Sequence, residues 1–195
     1  MAFGVDRCFY CEDSAGTTID HWRPIVLSLD GTYYWPNHIL SCGTCNSRYK
    51  VDKFPTDPTG APLLLDPTTE DPLDHLAYSP LTGMWVPTSL RGEATIEVLA
   101  LNREELQERR RYEWNSLRGR LEDLGRRSPA KDLPQVAQAC ADVGLTRERL
   151  LSAVFLWLLR TVSDVQPAVL QMTLGPYALE AAHYYRDELL AVEAA

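Results

Sequence analysis

CGTCNSRYK, residues 42–50, decides how the chain is read. It sets two cysteines three positions apart, follows them at once with Asn46, and places Lys50 four residues further on. The same C-x-x-C spacing appears upstream in Cys8-Phe9-Tyr10-Cys11, so four of the five cysteines fall between positions 8 and 45 and Cys140 stands alone. In a reducing compartment such pairs read as a metal site rather than as disulfides. Zinc takes four tetrahedral ligands, and thiolates suit it. Two knuckles, Cys8/Cys11 and Cys42/Cys45, complete that shell with no open position, so the ion is expected to be structural. The alternatives are a redox dithiol or unrelated buried cysteines. Thirty residues lie between the knuckles, which implies a folded insert.

Composition bounds the rest. A chain of 195 residues with 45% hydrophobic and 24% charged residues is that of an ordinary soluble protein, long enough for one domain or a small module plus a second core. No basic-then-apolar start is present, so no secretory signal is expected. The most apolar window, residues 150–159, is too short to span a bilayer, which needs about 20 residues. The chain reads as cytoplasmic, with no membrane role. A net charge of −8 argues against nucleic acid, yet charge is segregated: residues 109–131 carry +5 and residues 132–195 carry −4.

Three parts follow along the chain. Residues 1–54 hold the knuckles, an extended run at 17–22, and a short helix from about Gly43 to Val51. Residues 55–101 are a connector rich in turn-formers, with candidate strands at Met84–Pro87 and Glu93–Leu99. Residues 102–195 read as a helical domain: a helix from an Asn102 N-cap to about Arg127, then helices near 133–143, 146–163 and 176–192. Arg109–Arg111 is as readily a solvated or salt-bridged face as a nucleic-acid contact. The overall class is α+β.

Between the knuckles lie Asp20-His21-Trp22-Arg23-Pro24 and then Asn37. Adjacent strand residues point to opposite faces, so Asp20 and His21 cannot act on one another, but both can border a cleft where the strand meets a helix. Asn46 and Lys50, at i and i+4, share a face of that helix. The order C-x-x-C, D-H-x-x-P, N, C-x-x-C-N-x-x-x-K resembles the HNH endonucleases of the ββα-metal class, in the subgroup stapled by a four-cysteine zinc. The resemblance spans about residues 8–50. It implies that His21 is the general base, that Asn37 holds the loop positioning it, and that Asp20 and Asn46 bind a catalytic Mg²⁺ or Mn²⁺. Hard oxygen ligands suit such ions, and a neutral imidazole suits proton abstraction near neutrality. Arg48 and Lys50 are expected to contact the phosphate. His38 reads as a structural or substrate-flanking residue, and His75 receives no role.

Residues 64–111 are similar to the region following the motif in HNH endonucleases of Septu-type and retron-associated antiviral systems, which act beside an ATPase. That implies an effector nuclease acting on DNA, with an ATPase subunit as partner. The rival reading is a zinc-stabilised module that binds nucleic acid or protein without cutting. A third is a subunit active only in complex.

Overall fold

The computed structural model describes residues 7–127. The helices expected near 133–143, 146–163 and 176–192, the apolar window at 150–159 and Cys140 lie outside the described residues. The chain divides into two compact units, residues 1–79 with 83–107, and residues 80–82 with 108–195. It combines small antiparallel sheets with helices, a mixed α and β architecture. No helix among the described residues is long and apolar enough to cross a membrane.

Strand β1 (Thr18–His21) pairs with β2 (His38–Ser41) in antiparallel register, Thr18 opposite Ser41 and His21 opposite His38. The first knuckle closes as a turn in which the Glu12 amide donates to the Cys8 carbonyl at 2.9 Å, with Glu12 itself in the left-handed region at φ 59°. Phe9 N donates to Leu40 O at 2.9 Å and ties that turn to β2. The second knuckle launches a helix over Thr44–Lys50 with π-type hydrogen bonding, and Val51 ends it at φ 49°. The Sγ atoms of Cys8, Cys11, Cys42 and Cys45 all lie within 4.8 Å of one another, with Cys11 and Cys42 at 4.0 Å. Tetrahedral Zn–S bonds of about 2.3 Å put sulfurs roughly 3.8 Å apart, so the set fits such an ion. Hydrogen bonding to Cys11, with burial added, pushes the Cys8 thiol up to about 12, while bonds from Cys45 and Cys8 hold Cys11 down. Four sulfurs this close could together hold a metal ion.

Hydrogen bonds tie the connector to this module. Trp22 Nε1 donates to Leu65 O at 3.0 Å, and Leu65 N donates to Thr95 Oγ1 at 3.0 Å. Strands β3 (Leu76–Ser79) and β4 (Met84–Pro87) form a second hairpin, with Tyr78 and Trp85 edge to face at 5.6 Å. Helix α1 spans Leu90–Leu99 and so replaces the strand expected at Glu93–Leu99. Its caps decide against β-propensity. Ser89 Oγ accepts from Gly92 N at 3.1 Å, Ala100 closes the far end at φ 47°, and Gly92, Thr95, Val98 and Leu99 are buried at helical spacing. His75 Nδ1 is hydrogen-bonded to the same Ser89 hydroxyl at 2.8 Å.

Helix α2 runs over Glu104–Arg127, as the pattern predicts. Asn102 does not cap it: its amide clamps β4, taking Trp85 N and donating to Trp85 O, each at 2.8 Å. Arg109 and Arg111 are exposed, while Arg110 falls in a buried stripe with Leu106, Trp114, Leu117 and Leu121.

Two consequences are measurable. Between residues 7 and 54 the buried apolar side chains other than cysteines are Tyr10, Pro24 and Ile39, too few to support a core. Structural zinc supplies about 10–16 kcal/mol in comparable small modules. Chelation, acidification that protonates the thiolates, or Cys11→Ser is expected to unfold residues 7–54, read by near-UV circular dichroism; identical spectra with and without chelator would contradict it. A Cβ on Gly92 would lie 2.2 Å from the His75 carbonyl oxygen. Gly92→Ala is therefore expected to destabilise by about 1–3 kcal/mol in thermal melting, despite its better helix propensity.

Candidate active site

The β1–β2 ladder sorts the motif residues onto two faces. Thr18 and Asp20 lie opposite Ser41 and Ile39 on the face toward the Thr44–Lys50 helix, while Ile19 and His21 lie opposite Leu40 and His38 on the other. Asn46 Nδ2 donates to Thr18 Oγ1 at 3.2 Å and to Ile19 O at 3.3 Å, which fixes the amide against β1. Lys50, expected at the phosphate, is instead 0% exposed. Its ammonium sits 3.0 Å from Asp20 Oδ2 and donates to the His21 carbonyl at 2.7 Å. A residue so enclosed cannot reach a substrate. Tyr10 donates to the same carboxylate oxygen at 2.5 Å. Burial, and then the Asp20 carboxylate, hold the Tyr10 phenol well above its ordinary range, so it stays a donor.

The opposite face is built by the loop between the strands. Asn37, 7% exposed, fastens it from within. Its Oδ1 accepts from Arg23 N at 2.7 Å, and its Nδ2 donates to Arg23 O at 3.0 Å and to Gly31 O at 3.1 Å. Trp22 N also donates to the Asn37 carbonyl at 2.9 Å. The next carbonyl along, Thr32 O, lies 3.2 Å from His21 Nε2. A carbonyl only accepts, so Nε2 carries the hydrogen and Nδ1 keeps the lone pair. The Asn37-held loop thus fixes the orientation of the half-buried His21 ring.

The structure gathers the four cysteines in one cluster, places Asp20, Asn46 and Lys50 on the helix-facing side, and places His21 with its Asn37-held loop on the other. Arg48 is exposed, its guanidinium 5.4 Å from the Tyr49 ring centroid. Two contributors escape a reading of the sequence, and so does the pairing of a third residue that it singles out, His38. Tyr10 lies inside the first knuckle, where only the chelating cysteines draw notice. Arg103 donates from Nη2 to Cys45 Sγ at 3.8 Å, from 58 residues away. His38 pairs with His21 across the ladder, their ring centroids 4.7 Å apart, which a strand register alone reveals.

No family model matches the chain, and no solved structure matches it. Among curated proteins it is similar to Septu protein PtuB of Bacillus mycoides (strain KBAB4), 33% identical over 53% of this chain and 45% of that protein. It is also similar to Septu protein PtuA of the same strain, 35% identical over 57% of this chain and 20% of that protein. The chain spans less than half the length of either relative.

Proposed function

We propose that this chain is an HNH-type endonuclease that hydrolyses DNA phosphodiester bonds, serving as the effector of a Septu-type anti-phage system beside an ATPase partner. The observation that carries the reading is the Asn37 lock, which presents the Thr32 carbonyl to His21 and leaves one imidazole nitrogen basic. In this mechanism His21 Nδ1 takes a proton from the attacking water. Arg48, exposed on the knuckle helix, contacts phosphate. The four-cysteine site holds zinc and fixes where that helix begins. The similarity to two Septu proteins supports the defence role and the expectation of a protein partner.

The reading includes Mg²⁺ or Mn²⁺ at Asp20 and Asn46. Asn46 fits, because both its donor bonds go to β1 and the amide oxygen remains to coordinate. Asp20 does not fit in the state described: it is 5% exposed and its Oδ2 is bound by Lys50 and Tyr10. A cation at Oδ2 requires that pair to open. The same observation favours a second reading, a zinc-stabilised binding module without catalysis, in which Asp20 is purely structural.

Plasmid nicking separates the two, run on the chain alone and with its co-purified partner, in Mg²⁺ or Mn²⁺ and in chelator. His21→Ala is expected to lower cleavage by about 10²–10⁴-fold at an unchanged melting temperature. Equal nicking by wild type and variant would remove His21 from the mechanism, and no nicking by wild type in any condition would favour the binding module. Lys50→Met leaves the Asp20 charge buried and is expected to cost about 3–5 kcal/mol, partly recovered in Asp20→Asn/Lys50→Met. Arg48→Ala should reduce the salt dependence of DNA affinity by about one phosphate contact. The double variant should leave that slope unchanged; a shallower slope would return Lys50 to the interface.

A further inference from the structure

The second histidine of the β1–β2 ladder has a geometry that packing does not require. His38 is half-buried and lies directly opposite His21, with ring centroids 4.7 Å apart and planes inclined by 54°. Its Nδ1 lies 3.0 Å from the Tyr34 carbonyl, two residues beyond the carbonyl that holds His21. One loop therefore fixes both rings by the same device, leaving His21 Nδ1 and His38 Nε2 as the nitrogens without a backbone partner. The indole of Trp35 stacks over His38 at 5.8 Å and 29°, and that π-face is an electrostatic partner for an imidazolium. Among the described residues, the ring packed against His21 is that of His38 itself.

Hydrolysis of a phosphodiester moves two protons, one off the attacking water and one onto the leaving oxygen. Two-metal nucleases hold those two oxygens with ions roughly 3.5–4 Å apart. The His21 and His38 rings, with centroids 4.7 Å apart, stand close enough together to serve one phosphodiester. Among the described residues near this hairpin, arginine does not give up its proton, Lys50 and Tyr10 are buried, and the exposed Tyr33 and Tyr34 offer phenols, which are far weaker acids than an imidazolium.

Resting on the nuclease reading above, we propose that His38, entering the reaction as an imidazolium, is the general acid of this site, delivering its Nε2 proton to the leaving 3′-oxygen while His21 accepts the proton of water. The water oxygen bonds to phosphorus and its proton passes to His21 Nδ1. The P–O3′ bond breaks, its electron pair goes to O3′, and O3′ takes the proton from His38. The products are a 5′-phosphate and a 3′-hydroxyl, and exchange with solvent returns each ring to its starting state.

A bridging sulfur at the scissile 3′ position tests this, because a thiolate leaves without being protonated. Oligonucleotides with oxygen or sulfur at one 3′ bridge are cleaved by wild type, His21→Ala, His38→Ala and His38→Gln, each with any co-purifying partner, in Mn²⁺ so that an ion at the leaving atom tolerates sulfur. The expected result is that both His38 variants lose about 10²–10⁴-fold on the oxygen substrate and recover to within a few-fold of wild type on the sulfur substrate. His21→Ala should be slow on both. Equal slowing of the His38 variants on the two substrates would show that His38 only packs the loop, and undiminished cleavage of the oxygen substrate would show it is unused. Either result overturns the assignment and leaves His21 standing. Failure of wild type to cleave either substrate overturns the nuclease reading and this inference together.

Discussion

Four sulfurs converging on one point are the constraint from which residues 7–54 take their shape. That stretch buries Asp20, Asn37, Ser41 and Lys50 as readily as Ile39, so apolar burial does not define it. Buried polar groups hold a unique arrangement only when every partner is in place, and they cost more than they return when one is missing. Joining residue 11 to residue 42 removes the closure cost of the thirty-residue insert before those polar partners meet. Arg103 extends the constraint outward. Its Nη2 donates to Cys45 Sγ, its Nη1 to the Leu99 and Ala100 carbonyls at 3.3 Å each, and its guanidinium stacks over Tyr49 at 5.4 Å. A thiolate cluster around a divalent ion carries net negative charge, and the C-terminus of a helix carries more. One guanidinium answers both, so charge helps to tie the end of α1 to the knuckle.

What was legible in the sequence was what depends on short spacing. The knuckles, the Thr18–His21 strand, the Thr44–Lys50 helix and the long helix beginning near residue 104 each rest on residues within one or two turns of each other. What was not legible depends on pairing at a distance. Glu93–Leu99 mixes β-branched residues and reads as a strand, yet Ser89 and Ala100 cap it as a helix whose Gly92 meets the His75 backbone. Lys50 reads as a solvated or phosphate-binding lysine because its i−4 neighbour is Asn46. Its true partner, Asp20, lies 30 residues upstream and is brought near only by the hairpin register. A register fixed one residue differently would exchange every side chain between the two faces. That Asp20 rather than His21 faces the helix, and that His38 pairs with His21, follow from that register.

The two faces are not independent. Lys50 belongs to the helix-facing side, yet its ammonium ends on the carbonyl of His21, whose ring lies on the other. The His21 backbone is thereby held by a group whose own position is set by the second knuckle, five residues after Cys45. The ring is held separately, through the Thr32 carbonyl and the Asn37 lock. Backbone and side chain of one residue are fixed from opposite sides of the sheet by devices that share no atom. A lysine serving as a phosphate contact would need only charge and reach, and solvent would remain around it. A buried lysine that must satisfy a carboxylate and a carbonyl at once needs the distance between helix and strand to be constant. The cysteine cluster at the start of the helix, with Asn46 bonded to β1, supplies that constancy, so the knuckle bears on the spacing between Cys45 and Lys50 as much as on the cysteines themselves.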